Sequence, residues 1–171
     1  MVPVAIAGEK YLTRAGWVTL RRRDAAAAEA ALVTADAAVA VLRDGGPVRC
    51  RAELAARLAR WRELLWELAQ ARAARLGVVA RCGRVVASSA YRPWGTSCAL
   101  GTPFADPCGA LDSQDDRGHW SGWAIDVPTR FTRESFAPTV EVAACWVAAG
   151  QAGLVRPFRA EYWHWRPASE P

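Results

Sequence analysis

The only two histidines in this 171-residue chain lie in two short stretches, Gly118-His119-Trp120-Ser121-Gly122-Trp123-Ala124-Ile125-Asp126 and Glu161-Tyr162-Trp163-His164-Trp165. Each stretch also carries a carboxylate. Neutral imidazole nitrogens and carboxylate oxygens bind Zn²⁺ well, and a catalytic zinc site uses three protein ligands and leaves the fourth place to water. His119, Asp126 and His164 are the candidate ligands, and Glu161 stands beside the last as a candidate base. The spacing of seven between His119 and Asp126 proves little by itself. Two features add weight. Gly122 lets backbone approach closely where a Cβ would clash, and Asp126 sits in an apolar run where an unpaired carboxylate is costly. His164 lies among three large aromatics and, once desolvated, needs a partner. Alternate side chains on a strand share a face. His164 therefore sides with Tyr162, and Glu161 reaches that face only if the strand begins or bends there.

The elements that must position these groups follow from the surrounding pattern. Trp123-Ala124-Ile125-Asp126-Val127 reads as a short buried strand carrying Asp126. Leu154 to Phe158 and Tyr162 to Trp165 read as the last two strands, a hairpin with Glu161 near its bend. Pro138-Thr139 opens a helix running to about Gln151, with Trp146 on its apolar face and Gly153 past its end. Upstream, Leu54, Leu58, Trp61, Leu65, Leu68 and Leu76 recur at helical spacing and predict a helix from about Arg51 to Leu76, ended by Gly77. The Ala-rich segment from Asp24, placed as an N-cap, to about Arg43 has helical propensity and stops at Gly45-Gly46-Pro47. Residues 1–23 read as an irregular lead-in. Val78 to Cys82 and Arg84 to Ser89, with a turn at Gly83, predict a β-hairpin. Pro93 to Gly118 is a long aperiodic loop between site elements, suited to a lid or a substrate-binding wall. The expected architecture is one α+β domain over residues 1–171. Its N-terminal helical part, 1–76, packs against a small antiparallel sheet, 77–171, that carries the metal site.

The totals restrict the partners. Hydrophobic content of 52% supports a globular chain with a real core. The net charge is +5, but the arginines are spread along helices, which argues against a nucleic-acid patch. No apolar run approaches the roughly 20 residues of a membrane span. Val2 to Ala7 lacks a basic flank and is too short for a signal-peptide core, so the expectation is a cytoplasmic location or export by a route the sequence does not show. Five cysteines without an export signal favour reduced thiols; Cys98 and Cys108, which share the long loop, could instead close it by a disulfide or add a thiolate near the site.

Taken together, His-x-x-Gly-x-Ala-x-Asp at 119–126 and Glu-x-Trp-His at 161–164 resemble the zinc D-Ala-D-Ala metallopeptidases. These carboxypeptidases and dipeptidases act on peptidoglycan stem peptides and are related to the lysostaphin and hedgehog folds. Ser88-Ser89-Ala90-Tyr91-Arg92 is similar to that family's Ser-x-Tyr-Arg element. Residues 146–165 resemble its closing segment: a Trp-bearing helix, a Gly, an aromatic strand, then Glu-x-Trp-His. The likeness spans about residues 78–166. It implies one Zn²⁺ per chain held by His119, Asp126 and His164, with Glu161 as general base and acid and Arg92 stabilising the transition state. Ser89, Tyr91, Trp163 and Gln114 are the implied substrate contacts. Arg117, two residues before the first ligand, and Pro93, after Arg92, depart from the family pattern.

The implied activity is hydrolysis of an amide bond in a small D-Ala-D-Ala-type or stem peptide by a monomer. Three alternatives stand beside it: a phage-type endolysin cutting between L-Ala and a D-acidic residue, a biosynthetic metalloenzyme of the same fold, and a zinc-stabilised binding module without turnover.

Overall fold

The computed structural model describes residues 27, 29–91, 119, 121–157 and 161–168. Its longest element is the helix α1, Ala52–Leu76, as the Leu/Trp spacing predicts. Leu54, Leu58, Trp61, Leu65, Ala69 and Ala73 form its buried stripe. Leu68 and Leu76, expected on that stripe, are exposed; the core-facing positions of the last turns are held by Ala69 and Ala73. Gly77 ends α1 in the left-handed region at φ 65°, its N–H returning to the carbonyls of Ala73 and Ala74. That closure satisfies carbonyls the last turn leaves open.

Ahead of α1 the structure departs from expectation. Helical backbone appears at residues 27, 29 and 30 but does not continue to Arg43. Three strands follow instead: β1 (Leu32–Thr34), β2 (Ala40–Leu42) and β3 (Arg49–Arg51). Alanine's helix propensity is a fraction of a kcal/mol per residue, and tertiary pairing overrides it. Here β2 lies parallel to β4 (Val85–Ala87), with Ala40 opposite Val85 and Leu42 opposite Ala87, and Ala40, Val85 and Ala87 are fully buried. The Gly45-Gly46 segment makes the turn into β3, with Leu42 N–H donating to Gly46 O, and β3 runs antiparallel to β1.

The hairpin expected over Val78–Ser89 is also absent. Arg81 forms a bridge with Ala137, and β4 takes β2 as its partner. Gly83 is not a turn; it is buried against Ser135, where a Cβ would collide with the Ser135 hydroxyl and carbonyl. A short helix that the sequence pattern did not signal, α2 (Thr129–Ser135), packs on β4. Its hydroxyls complete the backbone hydrogen bonding: Val86 N–H donates to Thr132 Oγ1 at 2.8 Å, and Ser135 Oγ donates to Arg84 O at 2.8 Å. The next helix, α3, is Val142–Gln151. It begins four residues after Pro138, because residues 137–141 remain extended or in turn.

The last layer is a three-stranded antiparallel sheet in the order β5–β7–β6, with β5 at Ile125–Asp126, β6 at Leu154–Val155 and β7 at His164–Pro167. The architecture is a small α+β fold, but among the described residues the strands form three small sheets, one of them parallel, in place of a single antiparallel one. Trp61 joins α1 to this layer. It is fully buried, its Nε1–H donates to Cys145 O on α3 at 3.0 Å, and its ring lies 5.3 Å from that of Trp165 on β7. Burial pushes the thiols of Cys50 and Cys145 up to about 12, so both remain neutral packing groups. No helix among the described residues is long and apolar enough to cross a membrane.

Candidate metal centre

Strand pairing brings two of the predicted ligands together. Register sets Asp126 of β5 opposite His164 of β7, and the two side chains meet with His164 Nδ1 3.0 Å from Asp126 Oδ1. The other edge of β5 is held by residues 88–90: Ser88 N–H donates to Asp126 O, and Asp126 N–H donates to Ser89 O, each at 2.8 Å. This places the carbonyl of Ala90 beside the site, where it meets the third ligand. His119 Nδ1 lies 2.7 Å from Ala90 O, and His119 Nε2 lies 3.1 Å from Asp126 Oδ1. The imidazole rings stand edge to face, 5.1 Å apart.

The three side chains are buried: His119 is 2% exposed, Asp126 7% and His164 1%. One ligand atom from each lies within 4.8 Å of the others. Bonds of about 2.0–2.2 Å to a tetrahedral zinc would separate ligand atoms by about 3.3 Å, close to the two shortest separations found here. The carbonyl partner decides the His119 tautomer. A carbonyl oxygen only accepts, so Nδ1 carries the hydrogen and Nε2 of the neutral ring offers a lone pair. That lone pair faces a carboxylate oxygen, an arrangement made favourable by a cation between them, either a proton on Nε2 or a metal ion. Nδ1–H bonded to a backbone carbonyl is also the usual way a ligating histidine is oriented from behind.

Electrostatics keep the carboxylate of Asp126 ionised. Burial by itself would raise the Asp126 carboxyl, but with a proton as the cation on each ring nitrogen that faces it, hydrogen bonds from His119 and His164 and their positive charge outweigh burial and hold the group well below the usual carboxylate range. An ionised carboxylate between two imidazoles has no proton to give up when a cation binds. A buried cluster of His119, Asp126 and His164 thus could hold a metal ion.

The other predicted site residues are distributed as follows. Glu161 precedes β7, and its carbonyl accepts the His164 N–H at 3.1 Å, forming a turn. The strand therefore begins at His164, which removes the alternation that would send Glu161 to the opposite face. Ser89 flanks Asp126 through its backbone. Tyr91 is half-buried, with the Arg49 guanidinium 5.3 Å over its ring. Trp163 is half-buried, packs edge-on against Tyr162, and accepts the Val127 N–H through its carbonyl at 2.6 Å. Arg92 and Gln114 lie outside the described residues, as do Pro93, Arg117, Cys98 and Cys108.

Two contributors escaped the sequence reading. The Ala90 carbonyl is a backbone acceptor, which no residue type announces. Arg51 sits 68 positions before His119 and contacts its loop only through the fold. Comparison with protein-family models, curated proteins and solved structures returned no match.

Proposed function

We propose that this protein is a zinc-dependent metallopeptidase that hydrolyses an amide bond in D-Ala-D-Ala-type or peptidoglycan stem peptides. The observation that carries this reading is the buried convergence of His119, Asp126 and His164, with His119 Nδ1–H turned to a carbonyl and its Nε2 turned to the carboxylate. Two nitrogens and one oxygen from three side chains are the donor set of many catalytic zinc sites. The likeness of residues 78–166 to the zinc D-Ala-D-Ala metallopeptidases supports the same chemistry.

In this reading His119, Asp126 and His164 hold the ion. Zinc, when bound, supplies Lewis acidity and brings the pKa of a water it carries from 15.7 to about 7. Glu161 takes a proton from the attacking water and returns one to the amine that leaves when the C–N bond breaks, a contribution of about 10²–10⁴-fold. By the same likeness Arg92, charged at every relevant pH, stabilises the carbonyl oxygen as it gains charge. Tyr91 and Trp163 flank the peptide. The products are a carboxylic acid and an amine, so no further reactant is needed.

The test is Glu161→Gln assayed against D-Ala-D-Ala and a stem pentapeptide. The variant should retain zinc and lose hydrolysis by at least 100-fold. Undiminished hydrolysis would remove Glu161 from the mechanism. A zinc-loaded wild type inert on every peptide of the panel would exclude the peptidase and leave the biosynthetic or binding roles.

A further inference from the structure

His119 lies on a loop, and one strand grips the backbone on both sides of the segment that connects Tyr91 to His119. On one side, Tyr91 N–H donates to Arg49 O at 3.3 Å, and the Arg49 guanidinium lies over the Tyr91 ring. On the other, Arg51 N–H donates to Gly122 O at 2.9 Å and Arg51 Nε–H donates to Ser121 O at 2.9 Å. The Arg51 guanidinium also lies 5.6 Å over the Trp123 ring. Between these grips, His119 Nδ1 meets Ala90 O and Gly122 N–H donates to His119 O at 3.1 Å. Gly122 adopts φ 77°, and a Cβ there would collide with Leu32 of β1 and lie 3.3 Å from the Arg51 nitrogen. The loop backbone is thus pressed onto β1 and β3 at the point where Arg51 acts.

We infer that Arg51 is the positioning residue for the metal centre: it fixes the 121–123 backbone and so aims His119 Nε2 at Asp126. The inference rests on the metal reading above. Arg51 touches none of the ligand side chains. It acts through the loop, by one backbone and one side-chain hydrogen bond and by ring contact. A planar guanidinium suits this work because Nε–H can bond the Ser121 carbonyl while the face of the group covers Trp123; a lysine ammonium cannot do both. Groups behind a ligand typically change metal affinity by 10–100-fold when removed.

The experiment measures zinc affinity by chelator competition for wild type, Arg51→Met, Arg51→Lys and a control, Arg60→Met, whose partners Glu63 and Glu67 lie on the exposed face of α1. The visible spectrum of the cobalt-substituted proteins is recorded alongside. Arg51→Met should bind zinc about 10–100-fold more weakly and show an altered cobalt spectrum. Arg51→Lys should not restore wild-type affinity, and Arg60→Met should match wild type. If Arg51→Met fails to fold, Arg51→Lys decides by the same two readouts. Wild-type affinity and spectrum in the folded Arg51 variants would overturn the inference while leaving the metal reading intact. A wild type that binds no zinc would overturn both.

Discussion

The candidate metal centre is built in two different ways. Asp126 and His164 are carried by paired strands, and their separation is set by the β5–β7 register. Behind them stand Trp165 and the fully buried Trp61, so core packing fixes both ligands. His119 has no strand. Its place depends on individual contacts: the Ala90 carbonyl, the left-handed Gly122 and the Arg51 latch. A sheet fixes a ligand as a by-product of folding, whereas a loop needs a dedicated contact for each degree of freedom. The two halves should therefore fail differently under substitution.

The largest effect is expected on the sheet side. Trp61→Ala removes a buried indole and its hydrogen bond to Cys145 O, and truncations of this kind cost about 3–5 kcal/mol. Urea unfolding should show that loss together with weakened metal binding, because β7 loses its backing. A loss below about 1 kcal/mol would break the claim that the core fixes this half.

The loop side should respond less in stability. Gly122→Ala places a side chain in the left-handed region, a strain of about 1–3 kcal/mol, and adds a collision with Leu32. The far-ultraviolet circular dichroism should be preserved while zinc affinity falls by more than the stability loss alone explains. Equal affinity to wild type would show that His119 is held independently of this turn.

The smallest effect is expected far from both. Arg72 on α1 hydrogen-bonds the exposed Glu141 ahead of α3, and that bond with the nearby positive charge holds the Glu141 carboxyl below its ordinary 4.5. A depressed carboxyl contributes stability above its unfolded pKa, and the contribution fades as pH falls through the folded value. Glu141→Gln should therefore lower Tm slightly at pH 7, with the difference shrinking toward acid pH, and leave zinc affinity unchanged. A widening difference on acidification would contradict the assigned sign.

The same contrast explains what could be read from the chain. Helix α1 was legible because its apolar spacing and Gly77 are local signals. The short strand carrying Asp126 was legible for the same reason, whereas the last strand begins at His164 and not at Tyr162; the two histidines stood out because the chain has no others, and with Asp126 they form a cluster that could hold a metal ion. The Ala-rich stretch misled because Ala40 to Leu42 is decided by Val85 to Ala87, more than forty residues away. Gly83 read as a turn, yet its lack of a side chain serves close packing on Ser135. Helix α2 carries no apolar period over its seven residues, and its hydroxyls matter only once β4 lies beside it. Local pattern reveals ligands and long helices; parallel pairing and backbone acceptors appear only in three dimensions.

The central claim is tested most directly by metal content. Protein stripped with a chelator, reloaded with zinc and desalted should retain one ion per chain, and His119→Ala, Asp126→Ala and His164→Ala should each lose it while keeping a folded α1. Wild-type protein that retains no zinc, or single variants that retain it fully, would contradict the account.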